Sequence, residues 1–343
     1  MRELQSASYD YTLPQELIAK TPIFPKENAK LLVYNRQEKS IIHSDFWHFN
    51  EFLPKETLVV LNDTQVLPAR IYGRKIGQDS KGAKIEALFH KTMGEDSYLL
   101  QFKGRLRVGS KIAFKDNVYA QIIEILPRGF KIARFYCDDE ILKEQDFFDF
   151  LEDFGHIPLP PYLKREDTPQ DRIDYQSVFA KNKGAIAAPT ASLHFSPESF
   201  KALQENFQIA WVTLHIGAGT FLGVEVENIL EHKMHKEAFY LPQITQEKLL
   251  KAKHITAIGT TTARVLEYFT RTHQTQGECD LFLHTQNPPR LVNALLTNFH
   301  LPKSTLLMLV ASFVGLEEMQ KIYQEALKMR YRFYSYGDGM LIL

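Results

Sequence analysis

Two apolar runs in this chain end in histidine. Residues 185–188 lead through Pro189, Thr190 and Ser192 to His194 and Phe195. Residues 209–214 lead straight to His215, with Gly217, Gly219, Thr220 and Phe221 close behind. Each run reads as a buried strand, and in an open α/β sheet ligands bind beyond the carboxyl ends of the strands. Histidine is the side chain best suited to proton transfer near neutral pH. A single buried histidine more often satisfies a core hydrogen bond, but two at neighbouring strand ends beside glycine turns point to a site. The G-x-G core at 217–219 lacks the third glycine of a dinucleotide fingerprint and no helix follows at once. It reads better as a place where backbone approaches a ligand closely.

Other stretches carry similar chemistry. His232 and His235 share a face if helical, yet zinc needs three or four ligands and no neighbouring set supplies them, so one histidine meeting a substrate is the better reading. Residues 260–264 (TTTAR) sit at a strand-to-helix junction, where free N–H groups favour a carboxylate or phosphate and Arg264 could add a bidentate contact. A plain threonine-capped helix accounts for them equally well. The strand at 58–61 runs into Asn62-Asp63-Thr64, whose side chains bind local backbone or a ligand. Residues 331–336 and Lys103, Arg105 and Arg107 combine aromatics or cations as nucleic-acid surfaces do, although aromatics near a chain end more often close a core. No P-loop, HExxH or GxSxG occurs.

The elements that must position these groups fall into two textures. The 343 residues suffice for two domains, and a hydrophobic content of 44% supplies their cores. Cys137 and Cys279 are the only cysteines, which suits a reducing compartment and leaves no disulfide framework. The N-terminus shows no signal-peptide pattern, and no run is long enough to span a bilayer; a cytoplasmic protein without membrane association is expected. Residues 9–20 suggest a short helix, 31–34 and 41–43 a hairpin, 246–254, 260–273 and 316–330 helices, and 255–259 and 280–284 strands. Ser304 is a candidate N-cap. From about 70, short β-like runs follow one another without a helical period, which indicates a small barrel or sandwich. The organisation expected is an α/β main domain (1–65 and 153–343) interrupted by an all-β barrel-like domain (66–152). Overall charge is balanced at 41 basic and 41 acidic residues, but 70–134 carries 14 Lys/Arg against 6 Asp/Glu, and 137–153 carries 8 Asp/Glu against Lys143 alone. Such asymmetry fits a polyanion-facing surface beside a neutralising edge, or a solvated strand face.

Taken together, the stretches YDYTLPQELIAKTP, LNDTQVLPARIYG, GHIPLPPYLKR, YQSVFAKNKGAIAAPTASLHF, VTLHIGAGTF, EHKMHKE, IGTTTARVLE, LTNFHLPKSTLLMLV and YRFYSYGDGM resemble those of the S-adenosylmethionine:tRNA ribosyltransferase-isomerases of queuosine biosynthesis, in order and over essentially the whole chain. Ser192 stands where that family usually has Gly, Asn293 for Asp and Gly339 for Ala, and residues 283–289 lack its aromatic-Pro-Gly turn.

The resemblance implies an α/β domain interrupted by a β-barrel, and S-adenosylmethionine as ribosyl donor with no metal or redox cofactor. The acceptor it implies is 7-aminomethyl-7-deazaguanine at the wobble position of tRNAs with GUN anticodons. The products are epoxyqueuosine-tRNA, adenine and methionine, made by a monomer without an obligate protein partner. Motif membership puts His194, His215, His235 and His300 forward for proton transfer. It puts Asn62, Thr64, Arg70, Pro189, Thr190, Phe195, Gly217, Gly219, Thr220, Phe221, Thr260, Arg264, Asn298 and Asp338 forward for holding donor or nucleoside. Lys103, Arg105, Arg107, Lys164 and Arg165 are expected to face tRNA. The alternatives are an S-adenosylmethionine-dependent RNA methyltransferase and a non-catalytic RNA-binding protein.

Overall fold

The computed structural model describes residues 2–77, 82–115, 117–217, 219 and 223–343. Its centre is the strand Thr57–Asn62, buried at every position. An apolar run of this kind is what a parallel strand covered on both faces requires. Gln208–Leu214 and His254–Ile258 pair with it in parallel on either side, and Ala294–Asn298 continues the parallel set. The nine-stranded sheet runs in the order Gln276–Cys279, Glu237–Tyr240, Gln208–Leu214, Thr57–Asn62, His254–Ile258, Ala294–Asn298, Gly339–Ile342, Lys30–Asn35 and Ser40–Asp45. Its outer pairings are antiparallel apart from Lys30–Asn35 with Gly339–Ile342. The helices Thr260–Thr272, Thr305–Val314 and Leu316–Lys328 contribute to one core. The turn Phe46–Phe52 and the helix Pro197–Asn206, with Phe195 and Trp211, form another.

A second sheet interrupts this one. Arg70–Lys75, Lys84–Thr92, Tyr98–Lys103, Lys111–Ala113, Val118–Ile125 and Phe130–Cys137 pair antiparallel in a ring. Phe130–Cys137 closes it on Val118–Ile125. Inward residues alternate with outward ones, as in Ile85, Ala87 and Phe89. The helix Glu144–Phe154 adds Phe147, stacked 3.9 Å from the Tyr98 ring, to this interior. The architecture is therefore an α/β sheet domain interrupted by an antiparallel β-barrel. No helix among the described residues is long and apolar enough to cross a membrane.

Four local expectations shift. The helix expected at 246–254 is Gln243–Lys251, and His254 opens the next strand. Residues 9–20 form only the 3-10 turn Gln15–Leu17, because Ile18 is drawn into a bridge with Phe333. The strand expected at 280–284 lies at Gln276–Cys279, paired with Glu237–Tyr240; beyond it the carbonyls of Cys279 and Leu281 accept from Arg264 instead of from a strand. The strand expected at 185–188 is Asn182–Ala185, and the amides of Ile186 and Ala187 turn to the carbonyl of Ile216.

The atypical loop at 283–289 leads into a segment held by one buried carboxylate. Glu267, 0% exposed on the helix Thr260–Thr272, accepts from the amides of Arg290, Leu291 and Val292 at 2.8, 2.8 and 2.9 Å and pairs with Arg271. The Arg271 guanidinium in turn donates to the carbonyl of Pro288 at 2.7 Å. Removing one partner of a buried ion pair leaves the other uncompensated, at a cost of about 3–5 kcal/mol. Glu267→Ala should lower the unfolding free energy in denaturant by about that amount. A loss below about 1 kcal/mol, the scale of an exposed pair, would show that the carboxylate is not the anchor.

Candidate active site

The carboxyl ends of the four parallel strands lie at one end of the sheet, where a cleft opens. Pro189, Thr190, Gly259, Thr260, Thr261, Asn298 and His300 line it, with Tyr162, Tyr175, Tyr334 and Ser335 opposite in sequence terms, from the proline-rich segment and the C-terminal loop. Thr260 begins its helix with no side chain capping it, and the preceding Gly259 has φ 91°, a conformation open to glycine. The first amides of that helix are thus available to an anion.

Asn298 organises one wall. Its Oδ1 accepts from Thr190 Oγ1 at 2.8 Å, and its Nδ2 donates to His194 Nε2 at 3.1 Å and weakly to the Asp338 carbonyl at 3.5 Å. The His194 ring also lies stacked on Phe46 at 4.0 Å. Burial, with the nearby charges of Arg332 and Lys26, lowers its pKa to about 3. His300 is similar: its Nε2 meets Thr297 Oγ1 at 2.8 Å, its amide donates to Tyr323 Oη at 3.0 Å, its carbonyl accepts from Tyr11, and burial lowers its pKa to about 3. Both rings are neutral at pH 7. Each is a fixed polar group and a weak base.

His215 differs. Its Nδ1 meets Thr64 Oγ1 at 2.8 Å, its amide donates to the Ala238 carbonyl at 2.9 Å, and the ring is only half-buried. Burial lowers its pKa, opposed by Asp63. Glycines seat two of the histidines. A Cβ on Gly184 would stand 2.8 Å from the His215 ring, and one on Gly219 would stand 2.4 Å from that of His235. His235 itself is exposed.

Several residues put forward from the sequence serve the scaffold. The Asn62 amide bonds to Leu214 N and O, Thr64 N and Thr261 Oγ1. The Arg264 guanidinium, expected to meet an anion, instead pairs with Glu237 and donates to the carbonyls of Leu281 and Cys279; the other Glu237 oxygen accepts from Gly217 N at 3.0 Å. Asp338, its pKa raised by burial, accepts from the amides of Lys30 and Arg332. Phe195 packs edge-on to Phe49. Arg70 lies at the barrel entry, bridged through its backbone to His156, with its Nε 3.6 Å from Glu86. Thr220 and Phe221 lie outside the described residues. Of the expected tRNA-facing cations, Arg105, Arg107 and Lys164 are exposed, Lys103 is paired with Glu86, and Arg165 grips Asp171 with both terminal nitrogens at 2.7 and 2.6 Å. Among the described residues no group of three or more His, Cys, Asp or Glu side chains is placed to hold a metal ion.

Sequence reasoning passed over Tyr162, Tyr175 and Glu237. All three lie inside quoted motifs (LPPYLKR, YQSVFAKN and EHKMHKE), but prolines and histidines drew the attention there. Ser192, the residue in place of Gly, has its hydroxyl buried without a partner among the described residues.

The two low-pKa histidines tie stability to pH. Unfolded histidines take up protons around pH 6.5, whereas His194 and His300 stay neutral down to about 3. Stability therefore falls as pH drops through that window, by about 1.4 kcal/mol per pH unit for each ring. His300→Gln should make the plot of unfolding free energy between pH 6 and 4.5 shallower by about one such slope. Parallel plots for the two proteins would contradict it.

The family model described as Queuosine biosynthesis protein matches residues 6–342. The S-adenosylmethionine:tRNA ribosyltransferase-isomerase of Helicobacter pylori (strain G27) is 51% identical over 347 aligned positions, with 100% of each chain covered. That of Aliarcobacter butzleri (strain RM4018) is 50% identical, with 99% of each covered. The crystal structure of an S-adenosylmethionine tRNA ribosyltransferase from Thermotoga maritima covers 98% of this chain and 100% of its own, at 31% identity and a TM-score of 0.53. With sequence and fold agreeing from end to end, the chain belongs to the queuosine biosynthesis protein family.

Proposed function

We propose that this protein is an S-adenosylmethionine:tRNA ribosyltransferase-isomerase. It moves the ribosyl group of S-adenosylmethionine onto 7-aminomethyl-7-deazaguanine at the tRNA wobble position, giving epoxyqueuosine-tRNA, adenine and methionine. The observation that carries this reading is the full-length family match joined to a cleft at the carboxyl ends of the parallel strands. The reaction asks for removal of a proton from C5′, acidified by the sulfonium, for departure of adenine, and for attack by a deprotonated amine. Positioning supplies much of such a barrier, and a histidine can supply proton transfer.

The environments rank the candidates. His215, half-buried and oriented by Thr64, is the stronger proton acceptor. His194 has its Nε2 occupied by Asn298 and acts through it as a positioning residue. The free amides at Thr260 and Thr261 suit the donor's methionyl carboxylate, and Thr190 and Asn298 suit ribose hydroxyls or the base. The basic outer face of the barrel, with Arg105 and Arg107, and Lys164 on the main domain take up tRNA phosphates. The tRNAs are those with GUN anticodons, and the enzyme works in the cytoplasm as a monomer.

Incubation with S-adenosylmethionine and tRNA carrying 7-aminomethyl-7-deazaguanine, followed by mass analysis, tests the reading. Adenine, methionine and epoxyqueuosine are expected; S-adenosylhomocysteine would mark a methyltransferase, and an unchanged nucleoside would mark a binding protein. In the same assay His215→Ala should slow adenine release by about 10²-fold or more, and near-normal turnover in a folded variant would remove His215 from the chemistry. Binding to tRNA should also weaken steeply with salt, and Arg105→Ala with Arg107→Ala should flatten the log Kd–log salt plot by roughly 0.7–0.9 per cation. An unchanged slope would take the barrel face out of the tRNA contact.

A further inference from the structure

Beside the cleft, away from the barrel, two large aromatic side chains stand in solvent. Phe24 is 60% exposed and Trp47 58%. Neither belongs to a loose segment. The Trp47 indole donates to Asn28 Oδ1 at 2.9 Å, and Phe46 N donates to the Ala29 carbonyl at 3.2 Å. The turn Lys26–Asn28 packs against both Phe46–Phe52 and the turn Thr190–His194 that forms part of the cleft wall. Between the aromatics in sequence lies a cation, Lys26, in the turn Lys26–Asn28. Lys26 is half-buried, and among the described residues its ammonium makes no hydrogen bond or ion pair. Its nearest acidic groups are otherwise engaged, Glu27 by Ser196 N at 3.3 Å and Asp174 by Gln170 Nε2 at 3.0 Å. Lys20, at the start of the same segment, is exposed.

The sheet fixes where this strap lies. It precedes Lys30–Asn35, whose first amide bonds to Asp338 Oδ1 at 3.1 Å, so it sits at the edge where the parallel strands end. From Ala294–Asn298 to Lys30–Asn35 is two strand steps, roughly 10 Å at ~4.8 Å each. The barrel is tied to the opposite end of the sheet, where Lys91 meets Glu278 on the outermost strand at 3.0 Å. Cations therefore stand on either side of the cleft, and the strap side adds the two most exposed aromatic rings, against 49% for Tyr240 and 37% for Tyr72.

We propose that residues 20–28 with Trp47 form the seat for the single-stranded nucleotides next to the reacting base, Phe24 and Trp47 stacking on bases and Lys20 and Lys26 meeting phosphates. This deepens the functional reading above and rests on it. Splayed bases of an RNA loop stack on aromatic side chains while cations track the backbone, and the strap lies roughly 10 Å of sheet from the cleft strand Ala294–Asn298.

An anticodon stem-loop RNA with 7-aminomethyl-7-deazaguanine at the wobble position is the probe, with Kd read by fluorescence anisotropy on the full chain. Phe24→Ala and Trp47→Ala should each weaken binding by about five- to a hundredfold, as expected for loss of one stacked base, while calorimetry shows S-adenosylmethionine binding unchanged. Trp47→Phe, which keeps a ring, should recover most of the loss, and Lys26→Gln should reduce the salt slope by about 0.7. Unchanged stem-loop affinity in both alanine variants overturns the inference, and leaves the functional reading standing if the unaltered protein still converts the nucleoside. Equal loss of S-adenosylmethionine binding overturns it too, by making the strap a part of the donor pocket. If the unaltered protein fails to bind the stem-loop, inference and functional reading fall together.

Discussion

One side chain amide joins the strand ends on which the site depends. Asn62 is fully buried at the end of the central strand, and it bonds to both backbone groups of Leu214, to the amide of Thr64 and to the hydroxyl of Thr261. Four bonds exhaust what an asparagine can make with two donors and a two-lone-pair oxygen. They fix where the next strand ends, where the chain turns after Asn62, and where the helix Thr260–Thr272 begins. Through Thr64 the same constraint orients His215. An apolar residue of equal size would fill the volume but leave the Leu214 backbone groups unpaired in a dry interior, at about 1–3 kcal/mol for each.

The electrostatics follow from that packing. His194 and His300 are buried deeply enough to stay neutral, so they add polarity without a positive charge. His300 lines the cleft and His194 stands behind Asn298, so an imidazolium at either place would add positive charge beside it. Thr190, Thr260, Thr261 and Asn298 are likewise uncharged. Exposed cations such as Arg105 and Arg107 stand on the barrel instead.

Much of this was legible in the sequence because it rests on period and punctuation. The apolar runs, the glycine and threonine junctions and the short strands after Arg70 gave the α/β domain and the interrupting barrel. Side-chain roles were less legible, because a hydrogen bond between residues 62 and 214 or 237 and 264 leaves no local pattern. Arg264 looked like an anion ligand from its helix position, yet the guanidinium turns away from the cleft to Glu237. The strand near 280 was misplaced for the same reason, since the tertiary demand of Arg264 for carbonyls overrides the apolar run that follows Asp280.

That buried pair shows what tertiary chemistry adds to a pattern. An Arg–Glu pair 7% exposed on both sides is not a strong source of stability, because desolvation of two charges offsets their attraction and apolar substitutes often do as well. Its geometry does something an apolar pair cannot. One Glu237 oxygen meets the guanidinium while the other accepts the amide of Gly217, and the guanidinium also fixes the carbonyls of Cys279 and Leu281. The glycine segment after His215 is thereby held to the strand Glu237–Tyr240 by a charge-assisted bond. Its neighbour Gly219 has no room for a side chain above His235. The ion pair is thus best understood as a positional device: it sets the path of the backbone just after His215.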